Sequence, residues 1–155
     1  MFLLDCSDKS RLGKFEAAYA NSKKTVVIDH HKTNDSFGDI NIIDPEISST
    51  GELLYDLLKM TKMNISKEIA VNIYVAILTD TGKFSYSNTS SKTHIKIAEL
   101  INMGVDVSEI DNIVYNSKPS NVVKAFIDCV SGIEFYYGDK LCITAITKDI
   151  LDKNN

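Results

Sequence analysis

The run Val26-Val27-Ile28, ended abruptly by Asp29-His30-His31, constrains this chain more than any other feature of its sequence. An unbroken β-branched run suits a short buried strand of a parallel sheet. Open α/β sheets bind ligands beyond the carboxyl ends of their strands, and here that position holds one carboxylate and two imidazoles. The strand is scaffold and its tip is where chemistry belongs. Thr79-Asp80-Thr81-Gly82 supplies a second polar cluster downstream.

The surrounding pattern fits an α/β unit. Phe2-Leu3-Leu4 and Thr25 to Ile28 read as strands separated by a short helix within Phe15 to Asn21, and Ile40 to Ile43 reads as a third strand closed by Asp44-Pro45, where proline breaks a ladder. Ser49-Thr50-Gly51-Glu52 has capping-box spacing ahead of Leu53, Leu54, Leu57 and Leu58, which predicts a helix over 50–60. A second helix opens after Ser66 and ends near Asp80, with Gly82 as its stop signal; a third covers Ser91 to Met103 before Gly104. Ser108 to Tyr115 gives a short helix. Ser120, following Pro119, is expected to cap a long amphipathic one that ends at Gly132. Ile133 to Tyr137 and Lys140 to Ile146 flank Gly138-Asp139, the spacing of a two-residue hairpin turn.

Composition excludes several classes. At 155 residues, 44% hydrophobic and 25% charged, the chain has the make-up of an ordinary globular protein with one real core. No apolar stretch approaches the length of a membrane span, and Met1 to Leu4 is too short an apolar region for a secretory signal, so the expected compartment is the cytoplasm. Cys6, Cys129 and Cys142 are too few and too widely spaced for a disulfide framework or a CxxC zinc site. A net charge of -4 argues against affinity for long nucleic acid.

Taken together, the motifs resemble the DHH phosphoesterase family, and within it the branch that degrades short oligoribonucleotides (nanoRNA) and dephosphorylates 3′-phosphoadenosine 5′-phosphate (pAp). Leu3-Leu4-Asp5-Cys6-Ser7-Asp8 with Arg11 resembles the family's second motif, Val27-Ile28-Asp29-His30-His31 its third, and Leu78 to Phe84 its fourth. The blocks Asn34 to Asp39 and Ser48 to Glu52 agree as well. One departure stands out. The family begins with a strand ending in a His-containing Asp-x-Asp motif that supplies about half of the metal ligands, and no such segment precedes Asp5. The resemblance therefore implies a chain truncated at both ends: a partial DHH domain over 1–117, a connector helix over 118–132, and from 133 the first hairpin of a second, substrate-binding domain. Loss of the first strand is expected to leave an apolar sheet edge exposed.

The resemblance also implies a site. Asp5 would bridge the two metals, His30 and Asp80 would ligate one of them, Asp29 would orient the His30 imidazole from behind, and His31 would face the substrate phosphate as cation or general acid. Oxygen-rich sites with imidazole suit manganese, with magnesium or cobalt as substitutes; the family holds two Mn²⁺, and this chain is expected to hold at most one, weakly. Arg11, Asn34 and Ser49 are weaker candidates for substrate contact, and Asp8 and Ser49 read more simply as helix caps. His94 is expected to face solvent, and Tyr136 and Tyr137 to pack. The expected partners are short nucleotides or nanoRNA, with no membrane, and a homodimer in the full-length form. The activity the resemblance implies is hydrolysis by two-metal activation of water as part of a longer protein, and this chain alone is expected to be inactive because half of the metal ligands are absent. Cyclic dinucleotides, pyrophosphate or polyphosphate are alternative substrates, and a catalytically inactive fragment is the alternative from another class.

Overall fold

In the computed structural model, which describes residues 1–154, the β-branched run forms the middle strand of a three-stranded parallel sheet. Strand β1 (Phe2–Leu4) is followed by a 3-10 stretch over Lys9–Phe15 and the short helix α1 (Glu16–Ala20), and the chain returns as β2 (Val26–Asp29). β3 (Ile40–Ile43) completes the order β1-β2-β3, with Leu4 opposite Ile28 and Asp29 opposite Ile43. The 3-10 stretch had no periodic signal. Asp8 starts it by accepting from Ser10 N, and Gly13, at φ 50°, breaks it before α1.

Pleat decides which side chains go where. Leu3 and Val27 point to one face and pack with Leu12 against Cys6, Tyr19 and Phe37. The other face meets α2 (Thr50–Met60), which packs on α3 (Lys67–Asp80), which in turn packs on α4 (Ser91–Asn102). Leu53, Ile73, Tyr74, Ile77, Ile97 and Leu100 are buried in these helices. Among the described residues β1 has a ladder partner on one side only, and Phe2 and Leu4 are 72% and 49% exposed.

Capping is more specific than the sequence pattern suggested. Ser49 caps α2 by accepting from Glu52 N at 3.0 Å, but the Glu52 side chain does not complete a capping box. It turns inward instead, 2% exposed, where it accepts from Ser48 Oγ, from Thr93 Oγ1 at 3.0 Å and from Lys96 Nζ at 2.9 Å. The reciprocal box forms at α4, between Ser90 and Thr93. A buried carboxylate is tolerated only when its lone pairs are satisfied, and this one ties α2 to α4.

The chain divides into two compact units, Met1–Val107 and the residues from Ser108 onward. The second unit begins within α5 (Val107–Asp111), continues through one π-helical turn over Asn112–Asn116, and contains α6 (Ser120–Ser131), β4 (Glu134–Tyr136), β5 (Leu141–Ile143) and α7 (Lys148–Lys153). Ser120 is the first residue of α6 rather than its cap; Pro119 precedes it, and no side chain caps that end. The hairpin turn is longer than two residues. Tyr136 pairs with Leu141, and Tyr137, Gly138 and Asp139 all take positive φ in the connection. Tyr136 and Tyr137 are exposed rather than packed. α7 was not expected; Thr147 caps it, and Lys153 and Asn154 bind Asp128 of α6. No helix among the described residues is long and apolar enough to cross a membrane.

The Glu52 network predicts a pH-dependent stability. Burial would raise its carboxyl, but the Ser48, Lys96 and Thr93 bonds outweigh burial and hold it below the usual 4.5. Its stabilisation is present above about 4.5 and is lost as pH falls through the lower folded value. Glu52→Gln should cost about 3 kcal/mol at neutral pH in urea unfolding, with the gap to wild type narrowing in acid. An unchanged midpoint would contradict the role given to this carboxylate.

Candidate metal centre

Asp29 is the last residue of the middle strand and is 0% exposed, so its carboxylate has to be paid for with hydrogen bonds. Oδ1 accepts from His30 N at 2.8 Å and from His31 Nδ1 at 2.7 Å, and Oδ2 accepts from Asn34 Nδ2 at 2.5 Å. Burial alone would raise this carboxyl; the bonds from His31, Asn34 and His30 N instead hold it below its usual 3.8. The same contact raises His31 above 6.5, with burial opposing and the charges of Asp29 and Asp5 adding to it. Asp29 thus orients the ring of His31 and not, as expected, that of His30, which receives only a main-chain bond because Oδ1 turns to the ring two residues on.

His30 Nε2 faces two carboxylates, Asp5 Oδ1 at 3.7 Å and Asp80 Oδ2 at 3.6 Å. Ligands held about 2.1 Å from a shared cation lie roughly 3–3.5 Å apart, so these atoms stand near coordinating separation. The group whose ligand atoms all lie within 4.8 Å of one another is Asp5, His30 and His31; Asp80 approaches through His30 and is not part of it. Burial and the Asp5 charge push the Asp80 carboxyl up, outweighing the two histidines. A cation between the carboxylates would offset that repulsion. The donor set is oxygen and imidazole, and the nearby Cys6 thiol donates to Asp8 O, so the residues present fit a hard or borderline divalent ion.

Local backbone geometry aims these groups. Asp5 takes a left-handed φ of 58° directly after β1 while its N–H still donates to Ile28 O. That conformation costs about 1–2 kcal/mol for a residue other than glycine. Asp80 closes α3 and is followed by three left-handed residues, Gly82, Lys83 and Phe84. Thr81 holds this turn: its Oγ1 accepts from Phe84 N, and its carbonyl accepts from Ser85 N and Tyr86 N. Asn88 Nδ2 donates to both Asp80 O and Ser48 O, linking the turn to the start of α2.

Residues 1–79 match the DHH family, N-terminal domain. The chain belongs to the DHH family. This DHH chain is 31% identical over 123 residues to the bifunctional oligoribonuclease and PAP phosphatase NrnA of Thermus thermophilus, covering 79% of the chain and 37% of that protein. It is 33% identical over 127 residues to the protein of the same name from Bacillus subtilis, covering 80% and 40%. The crystal structure of an exopolyphosphatase-related protein from Bacteroides fragilis superposes with a TM-score of 0.88 at 31% identity, over 99% of the chain and 46% of its own. The chain therefore spans less than half the length of these relatives.

Within the DHH chain, Asp5, Asp29, His30, His31 and Asp80 converge. The weaker candidates lie elsewhere or do other work. Ser49 is fully buried and spends its hydroxyl on the helix cap. Asn34 donates to Asp29 and to Cys6 O. Arg11 lies 3.5 Å from Asp8 with an exposed side chain, yet its charge is felt at His31. His94 is exposed, beside the Phe84 ring. Thr50 and Asn88 were not singled out from the sequence: a lone hydroxyl or amide gives no signal until the fold brings its partner near.

Asp29→Asn should return the His31 titration of the metal-free chain toward 6.5 or below, read from the imidazole proton shifts in NMR. A His31 titration that the substitution leaves in place would contradict the pairing.

Proposed function

We propose that this chain carries the metal-binding core of a manganese-dependent phosphoesterase acting on short oligoribonucleotides and on pAp. The observation that carries the reading is the convergence of Asp5, His30 and Asp80 around His30 Nε2, with His31 set beside them by a buried carboxylate. The NrnA relatives support the substrate class.

Asp5, His30 and Asp80 would hold one Mn²⁺, with magnesium or cobalt as substitutes. When bound, divalent metal polarises phosphoryl oxygens and makes water acidic enough to attack at neutral pH. His31 keeps its Nδ1 proton toward Asp29. Its Nε2–H is then left to face the phosphoryl group, as a cation against developing charge or as the acid that protonates the leaving oxygen. Asp29 fixes the ring and favours the charged form. Arg11 adds positive potential on the same side and is the candidate for a second phosphate. Cys6, Cys129 and Cys142 are all free among the described residues, which suits a reducing cytoplasm.

A second reading is favoured by the ligand atoms, which gather as a single group of Asp5, His30 and His31 among the described residues: a core that binds metal without turning over substrate by itself. Hydrolysis of pAp, dinucleotides, cyclic di-AMP and pyrophosphate, compared in Mn²⁺, separates these readings. In a protein that also carries the family's first motif, turnover of pAp and dinucleotides that Asp80→Ala reduces at least 100-fold is the expected result. Pyrophosphate as sole substrate, or a rate that Asp80→Ala leaves unchanged, would contradict it, and metal binding without turnover would select the second reading.

A further inference from the structure

The carboxylate of Asp5 is the most exposed of the converging groups and leaves its strand in a strained conformation, so something has to fix the direction in which it points. The side chain that does so comes from a distant part of the chain. Thr50, 6% exposed at the first position of α2, donates its hydroxyl to Asp5 Oδ1 at 2.8 Å, and the same Oγ1 lies 3.5 Å from Asp29 Oδ1. A threonine has one hydroxyl proton, and the shorter contact takes it.

The oxygen that receives this proton is the one that faces both imidazoles, 3.7 Å from His30 Nε2 and 3.8 Å from His31 Nδ1. The position of Thr50 is itself tightly set. Ser49 caps the helix on one side of it, and on the other a Cβ at Gly51 would lie 2.5 Å from Ala76 Cβ, so the first turn of α2 rests directly on α3. Ala76 is four residues before Asp80, on the same face of α3. One close helix–helix contact therefore registers Thr50 against the helix that carries Asp80, and Thr50 passes that register to Asp5.

We propose that Thr50 is a positioning residue for the metal centre, holding Asp5 Oδ1 toward the two imidazoles so that the ligand atoms are set before a cation arrives. The inference rests on the metal reading above. Hydrogen-bond partners behind metal ligands typically change affinity by about 10–100-fold when removed. Valine keeps the shape of threonine without the hydroxyl, and serine keeps the hydroxyl without the methyl.

The test is calorimetric titration of the 155-residue chain with MnCl2, with thermal melting of each metal-free variant alongside. Thr50→Val is expected to weaken Mn²⁺ binding by about tenfold or more, with Thr50→Ser restoring it to within about threefold even where serine melts lower. Equal affinity in wild type and Thr50→Val, whatever the melting temperatures, would overturn the positioning role. So would a loss that Thr50→Ser fails to restore. If the wild-type chain binds no Mn²⁺, or binds it equally after Asp5→Ala, the metal reading itself fails and this inference falls with it.

Discussion

The buried carboxylate of Asp29 is the interaction around which the first unit is arranged. A strand that ended in an apolar residue would need nothing from the loop that follows. A fully buried aspartate needs donors from several directions. His30 N, the His31 ring and the Asn34 amide supply them, so the segment after β2 folds back over the strand tip instead of leaving it. His31 is thereby oriented, with its charged form favoured, and His30, whose ring escapes that network, is left to face Asp5 and Asp80. Packing and chemistry are inseparable here, because the group that demands burial is the one that sets the imidazoles.

The remaining ligand candidates reach the same point through costly local geometry. Asp5 and the Gly82-Lys83-Phe84 turn occupy left-handed backbone, a conformation that persists only where surrounding contacts over-determine it. Those contacts converge on the first turn of α2. Thr50 holds Asp5, Ser48 O receives the amide of Asn88 that also holds Asp80 O, and Glu52 anchors the same turn to α4 through Lys96 and Thr93. The helix N-terminus acts as a bracket between β1 and the end of α3, and its own position is fixed by the close approach of Gly51 to Ala76.

Much of this was legible in the sequence because it is written in short-range signals. The β-branched run, the caps at Ser49 and Ser66 and the glycine after Asp80 each report a local rule, and the strands and the three long helices of the first unit follow. The family resemblance named the charged residues that converge. What escaped was whatever depends on a partner far along the chain. Glu52 has the spacing of a capping box, yet it turns to Lys96 because a buried ion pair with three donors outweighs one bond to its own helix end. Thr50 looks like an ordinary helix-start residue until β1 is placed beside it. The 3-10 stretch over Lys9–Phe15 and the hairpin connection at Tyr137 to Lys140 lack the periodicity that sequence patterns detect.

The most direct test of the metal centre is anomalous diffraction from crystals of the chain grown or soaked in MnCl2. A manganese peak bounded by Asp5, His30 and Asp80, with His31 still bonded to Asp29, is the expected result. A peak elsewhere, or ordered carboxylates of Asp5 and Asp80 with no manganese between them at saturating metal, would contradict it.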